Sequence, residues 1–201
     1  IVDKEILFPS SYPYTSSTTR ILRENFSELS QEVDELINLD KNKLVCDIGS
    51  NDGNLLTYFV EKSKVVGITP EDIGNKAIAK GIPTIIDYFN KDSSNKIIEK
   101  FGNPDVITAT NVFAHIDNPN EVMENISFLL KKDGLFIVEV HYLKSLIETN
   151  QYDTIYHEHM RYYSLECLNN LLSTHGFTIF NAKLINTHGG SIRVFASRSH
   201  N

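Results

Sequence analysis

Tryptophan is absent, and cysteine and methionine appear only twice each among 201 residues. Two cysteines, Cys46 and Cys167, are too few for a disulfide scaffold or a four-cysteine zinc site. They suit a reducing, cytoplasmic setting. An excess of cations is also missing: 19 Lys+Arg stand against 26 Asp+Glu, for a net charge of −7. The acidity is even, with 12 basic against 16 acidic residues in the first hundred and 7 against 10 in the rest. With no basic face to follow a phosphate backbone, nucleic acid is not expected as a ligand. No apolar run approaches the roughly 20 residues of a membrane span, and no signal peptide opens the chain. Repeats and low-complexity linkers are lacking too. What is present, 41% apolar and 22% charged residues, is ordinary for a globular domain with a sizeable core. The chain starts at Ile1 rather than Met, which fits a piece of something longer.

Residues 1–20 read as an irregular aromatic and hydroxyl-rich arm, with Pro9, Tyr12, Pro13 and Tyr14. A helix is predicted over 21–39, its apolar positions Phe26, Leu29, Val33, Leu36 and Ile37 recurring at 3–4 spacing. From residue 44 short apolar runs alternate with helical stretches. Strands are predicted at 44–48, 64–68, 83–86, 106–110 and 135–140. Helices are predicted at 55–61, 71–80, 95–101, 119–130, capped by Asn118, and 165–174, capped by Ser164. Two final strands, 177–184 and 191–196, are joined by a turn carrying Gly189-Gly190. This alternation predicts βαβ units and a mostly parallel sheet with helices on both faces, ending in an antiparallel hairpin. Ligands then bind at the carboxyl ends of the strands. Residues 1–40 are expected to form an arm and helix packed on one compact domain, 41–201.

The first strand runs into Asp47-Ile48-Gly49-Ser50-Asn51-Asp52-Gly53. Its glycines allow a tight turn and close approach of backbone to a ligand. The spacing is neither G-x-G-x-x-G nor a P-loop, which argues against NAD and against a nucleoside triphosphate at a P-loop. Ordinary turns carry such residues as well. The segment resembles the cofactor loop of class I S-adenosylmethionine (SAM) methyltransferases, whose commonest residue at the place of Asn51 is glycine. In the sugar C-methyltransferase branch, D-I-G-S-N-D-G is itself the usual form. Where that family carries an acid to hold the cofactor ribose, this chain has Thr69, followed by Glu71 and Asp72. Either carboxylate can substitute, or both can simply begin a helix. Asp87 and Tyr88 stand where the family flanks the adenine.

All seven histidines lie beyond residue 114. His115, His141, His157 and His159 fall where strand ends or loops face a ligand. The densest group is Tyr156-His157-Glu158-His159-Met160-Arg161-Tyr162-Tyr163. A metal site is disfavoured, because H-E-H is not H-E-x-x-H and its two imidazoles diverge. A general base with a carboxylate and phenols beside it suits the residue types, and a polar loop of capping histidines is the structural alternative.

Residues 153–164, 108–115 and 188–194, together with the 47–53 loop and the arm at 12–17, are similar in order and content to the nucleotide-sugar C-methyltransferase family. That resemblance implies a Rossmann-like class I fold with a seven-stranded sheet, with SAM as cofactor and S-adenosylhomocysteine as product. It implies removal of a proton beside a ketone of a nucleotide-linked deoxysugar, then methylation of that carbon. It places His159 as base, Glu158 and Tyr156 beside it, and His115 and Tyr14 in the same cleft. Asp47, Gly49, Asn51, Asp52, Gly53, Thr69, Asp87, Tyr88 and Asn111 fall to the cofactor. Arg193 can meet an acidic substrate group or serve structure, with structure preferred. The family's four-cysteine zinc region and further C-terminal domain have no counterpart here, so a missing domain or a partner is expected to complete the substrate site. Two other readings remain: O-methylation of a sugar or other small metabolite, and a non-catalytic SAM-binding module serving a larger enzyme.

Overall fold

The computed structural model describes residues 19–198. The aromatic arm, with Tyr14, lies outside the described residues. Seven strands, β1 (Leu44–Ile48), β2 (Lys64–Thr69), β3 (Thr84–Ile86), β4 (Val106–Thr110), β5 (Leu135–His141), β6 (Thr178–Ile185) and β7 (Ser191–Ser197), form one sheet. Their order is β3-β2-β1-β4-β5-β7-β6. The first five are parallel, and β7 runs antiparallel between β5 and β6. The expected α/β architecture with a closing hairpin is therefore observed.

Every residue of β1 is buried, and so is every residue of β4 and β5 except the last of each. Strands covered on both faces read as continuous apolar runs, which is why they were legible. On one face α1 (Arg20–Ile37) packs Leu22, Phe26, Leu29 and Val33 together with Leu55, Phe59 and, from α2 (Gly74–Ala79), Ala77. On the other face lie Ile97 of α3 (Lys91–Phe101), Met123 and Ile126 of α4 (Pro119–Leu129), and Leu168 and Leu172 of α6 (Leu165–Thr174). Burying one such side chain contributes about 1.5–3 kcal/mol. Asn118 caps α4 by accepting from the Glu121 N–H at 3.3 Å, and Ser164 caps α6 through the Cys167 N–H at 3.1 Å. Among the described residues no helix is long and apolar enough to cross a membrane.

Four local expectations need correction. The helix at 55–61 is only a 3₁₀ turn, Leu56–Tyr58, continued by irregular turns; Thr57, Tyr58, Phe59 and Val60 are β-branched or aromatic and lose χ1 freedom in a helix. The helix at 71–80 shrinks to α2, because Glu71 turns back toward Thr69 instead of entering it. α3 starts four residues before the predicted 95, where Asn90 and Ser93 form a reciprocal capping box. Leu36, one of the apolar positions at 3–4 spacing that predicted the first helix, is 45% exposed. A short helix α5 (Leu143–Glu148) and a 3₁₀ turn Tyr152–Thr154 precede the histidine-rich segment and were not foreseen.

Candidate active site

β1 and β4 lie side by side, and the chain leaves them toward opposite edges of the sheet. Such a switch point opens a crevice at the carboxyl ends of the strands. A cavity of about 470 Å³ occupies it, within the range of small-molecule sites.

One end of the cavity is built by the loop after β1. Gly49 has φ 73°, and a Cβ there would sit 2.4 Å from Val112 Cγ2. Asn51 has φ 50°. That left-handed conformation is the reason glycine is common at this place, and asparagine is the residue that best replaces it. Both residues line the cavity. Asp52 and Gly53 do not line it. Asp52 is 1% exposed and holds Lys80 at 2.9 Å, while Gly53 at φ 74° lets the loop close on Ala77. Asp47 lines the cavity, is 2% exposed, and accepts from the Thr108 hydroxyl at 2.7 Å. Burial, helped by the charge of Glu139 and opposed by the Thr108 bond, pushes its pKa up to about 7.

Thr69 does not face a ligand alone. Its hydroxyl donates to the Glu71 carboxylate, and both residues line the cavity. Asp72 is exposed and is not part of the lining. The acid expected at the end of β2 is thus supplied two residues later by Glu71. The Asp87 N–H donates to the Thr69 carbonyl at 3.0 Å and joins the ends of β3 and β2. Both Asp87 carboxylate oxygens already have partners, the Tyr88 N–H at 2.8 Å and Lys96 at 2.9 Å. Tyr88 and Phe89 add aromatic lining. Asn111, at φ 58°, also lines this end, and its Oδ1 is buried without a hydrogen-bond partner among the described residues, as is Ser50 Oγ.

The other end is a row of imidazoles. His115, on the turn after β4, lies 5.1 Å from His159, ring centre to ring centre. His159 lies 4.9 Å from His141, and His141 5.2 Å from His188. His159 belongs to a strap at 152–163 that is sewn to the turn after β4. The Met160 N–H donates to the Ala114 carbonyl at 2.9 Å, and Arg161 donates to the carbonyls of Ile116 and Asp117. Within the strap, His159 Nδ1 lies 3.1 Å from the Thr154 carbonyl and Nε2 3.2 Å from the Tyr156 hydroxyl. A carbonyl only accepts, so Nδ1 carries the proton and Nε2 keeps its lone pair. Burial, and then the neighbouring His115, lower the pKa of His159. Burial likewise lowers that of His115, whose Nδ1 donates to the Glu158 carbonyl at 2.8 Å.

Of the expected chemical residues, the cavity gathers His115, Tyr156, Glu158 and His159. His157 is exposed and not part of the lining. Its place in the row is taken by His188, which sequence reasoning passed over as part of a hairpin turn; its position at a strand end beside Gly189-Gly190 was the available signal. Arg193 is fully buried against Glu139 at 2.6 Å, away from the cavity lining, and is structural.

The methyltransferase-domain family matches residues 21–182. A curated relative, C-methyltransferase NovU of Streptomyces niveus, is 35% identical over 199 residues, which are 98% of this chain and 47% of that protein. The chain therefore spans about half the length of this relative. Among solved structures, magnesium protoporphyrin IX methyltransferase of Synechocystis PCC 6803 with bound SAM aligns over 99% of both chains, with TM-score 0.69 and 14% identity. A SAM-dependent methyltransferase of Clostridium acetobutylicum aligns over 90% of this chain and 93% of its own, with TM-score 0.66 and 15% identity. These structures share the fold, and since the family match covers more than half of the chain, the chain belongs to the methyltransferase-domain family with a Rossmann-like, class I architecture.

Proposed function

We propose that this chain is the methyltransferase unit of an enzyme that uses SAM to methylate a carbon beside the ketone of a nucleotide-linked deoxysugar, releasing S-adenosylhomocysteine. The observation that carries the reading is one cavity with a glycine-turned, carboxylate-bearing end and a neutral His159–Tyr156 pair at the other. The name of the Streptomyces niveus relative supports carbon as the methylated atom.

The residues fit SAM. Its sulfonium and ammonium are cations, and among the described residues the lining carries Asp47, Glu71 and Glu158 but no lysine or arginine. Ser50 Oγ and Asn111 Oδ1, buried and without partners among the described residues, suit a polar amino-acid terminus. Glu71, held by Thr69, suits a ribose diol, which a carboxylate accepts bidentately. Tyr88 and Phe89 offer faces to a purine. When bound, SAM supplies an electrophilic methyl group. The protein supplies the proton acceptor: His159 Nε2 takes the proton from the Tyr156 side of its ring, and Thr154 steadies the resulting imidazolium through Nδ1. Asp87, already paired with Lys96 and the Tyr88 N–H, shapes the loop and leaves the purine to its aromatic neighbours.

The test has two stages. Calorimetric titration with SAM should show micromolar binding, about −8 kcal/mol. In D₂O with a nucleoside-diphosphate keto-deoxyhexose, deuterium should then enter the carbon beside the ketone, because only carbon methylation requires a carbanion. Methylated product without deuterium wash-in would instead mean O-methylation. Binding of SAM with no turnover would mean a non-catalytic module.

Glu71→Gln should weaken SAM binding about 10- to 100-fold, the value of hydrogen bonds to a charged group. Asp72→Asn should leave it unchanged. Equal affinity of Glu71→Gln and the wild type would remove Glu71 from the cofactor site.

A further inference from the structure

β5 ends in His141, which lines the cavity. It differs from its neighbours. His159 has both ring nitrogens engaged within its strap, and His115 is tied to the Glu158 carbonyl. The ring nitrogens of His141 have no hydrogen-bond partner among the described residues. Its position is nevertheless fixed, edge-on to His159 at 81° and to His188 at 65°. A ring held by packing on two sides, with its N–H unused at a ligand cavity, is a donor awaiting an acceptor.

We propose that His141 is a second catalytic imidazole, whose N–H holds the substrate carbonyl oxygen and then the enolate oxygen while His159 removes the adjacent proton. The inference rests on the keto substrate proposed above and adds the group that stabilises the developing charge. Burial, then His188, His159 and His115, hold the pKa of His141 down to about 4, so it donates as neutral imidazole. The other titratable groups around the base are Tyr156, Tyr162 and Glu158.

The C–H bond breaks, its proton goes to His159 Nε2, and its electron pair forms the C=C bond. The carbonyl π pair moves to oxygen, where the His141 N–H hydrogen-bonds it without transferring its proton. The C=C pair then forms the bond to the donated methyl, the C=O bond returns, and the methyl's former bond pair stays on sulfur. Neutrality matters here. An imidazolium at this place would hand the enolate a proton and quench it before methylation. His159, once protonated 4.9 Å away, further discourages charge on His141.

Deuterium wash-in is measured with S-adenosylhomocysteine bound and a nucleoside-diphosphate keto-deoxyhexose as probe, so that only proton removal is read. His141→Leu should slow wash-in by about 10²–10³, the size of a lost oxyanion donor, with unchanged affinity for S-adenosylhomocysteine. His141→Gln, which restores an N–H, should recover at least tenfold of that loss. If His141→Leu fails to bind S-adenosylhomocysteine, His141→Phe, which also lacks an N–H, replaces it under the same expectation. Wild-type wash-in rates in these variants overturn the proposal alone. A wild-type enzyme that binds S-adenosylhomocysteine but shows no wash-in overturns the keto-sugar reading and this proposal with it.

Discussion

Exchanging His159 for glutamine should lower kcat by about 10²–10⁴, the value of a positioned general base, and leave the affinity for SAM unchanged. The expectation follows from the tautomer. The Thr154 carbonyl fixes the proton on Nδ1, which leaves Nε2 as the acceptor. Glutamine can keep a donor toward Thr154 but brings no basic nitrogen, so binding survives and proton removal does not. A loss of this size corresponds to about 2.7–5.4 kcal/mol of barrier. His157→Gln is the matched control, since that side chain is exposed and outside the lining. The pH profile gives a second check. Burial and the neighbouring His115 lower the pKa of His159 below the ordinary 6.5, so more acid is needed to protonate it. The acidic limb of kcat/KM should therefore lie below pH 6.5. Steady-state kinetics with His159→Gln retaining more than a tenth of wild-type kcat would remove this residue from the base role.

How far the sequence disclosed this site depended on whether the signal was local. β1, β4 and α6 follow from apolar runs and a serine cap, and their limits agree with the structure to the residue. The loop after β1 was legible because backbone geometry constrains residue type: Gly49 and Asn51 both adopt positive φ. The end of β2 was only half legible. Sequence spacing put Thr69 at the acid's position and left Glu71 and Asp72 equal. Their separation depends on a turn that buries Glu71 against Thr69 and exposes Asp72. The histidine row was the least legible part. His115, His141, His159 and His188 come from four segments, and only tertiary packing stacks them. The strap that carries His159 is held to the turn after β4 by one main-chain bond and by the Arg161 and His115 side chains on main-chain carbonyls, and a carbonyl acceptor leaves no mark on residue type. His157, the most conspicuous neighbour in sequence, points away for the same reason.

Replacing Arg193 with methionine should destabilise the fold by about 3–5 kcal/mol, the consequence of leaving a buried partner charge uncompensated. At this chain length that is a fall in Tm of about 6–20 °C. Arg193 and Glu139 are both fully buried and meet at 2.6 Å. The same guanidinium also reaches Glu32 and donates to Asn25 Oδ1 at 2.7 Å, while the Asn25 amide donates to Glu139 at 2.9 Å. The network ties α1 to the strands beneath it. Because Leu22 and Phe26 of α1 line the cavity, loosening α1 should also weaken SAM binding. The loss should shrink as pH falls. Burial already raises the pKa of Glu139 even with Arg193 present. Without the arginine, the folded state binds the carboxyl proton more tightly than the unfolded state, so stability is regained on acidification and lost as pH rises. The double variant Arg193→Met, Glu139→Gln should recover much of the loss, since no buried charge then remains on β5. Urea unfolding of the single and double variants at two pH values measures all three quantities. A single variant within about 1 kcal/mol of the wild type, the value of an exposed ion pair, would mean that the arginine–glutamate pair is not what holds α1 over the cavity.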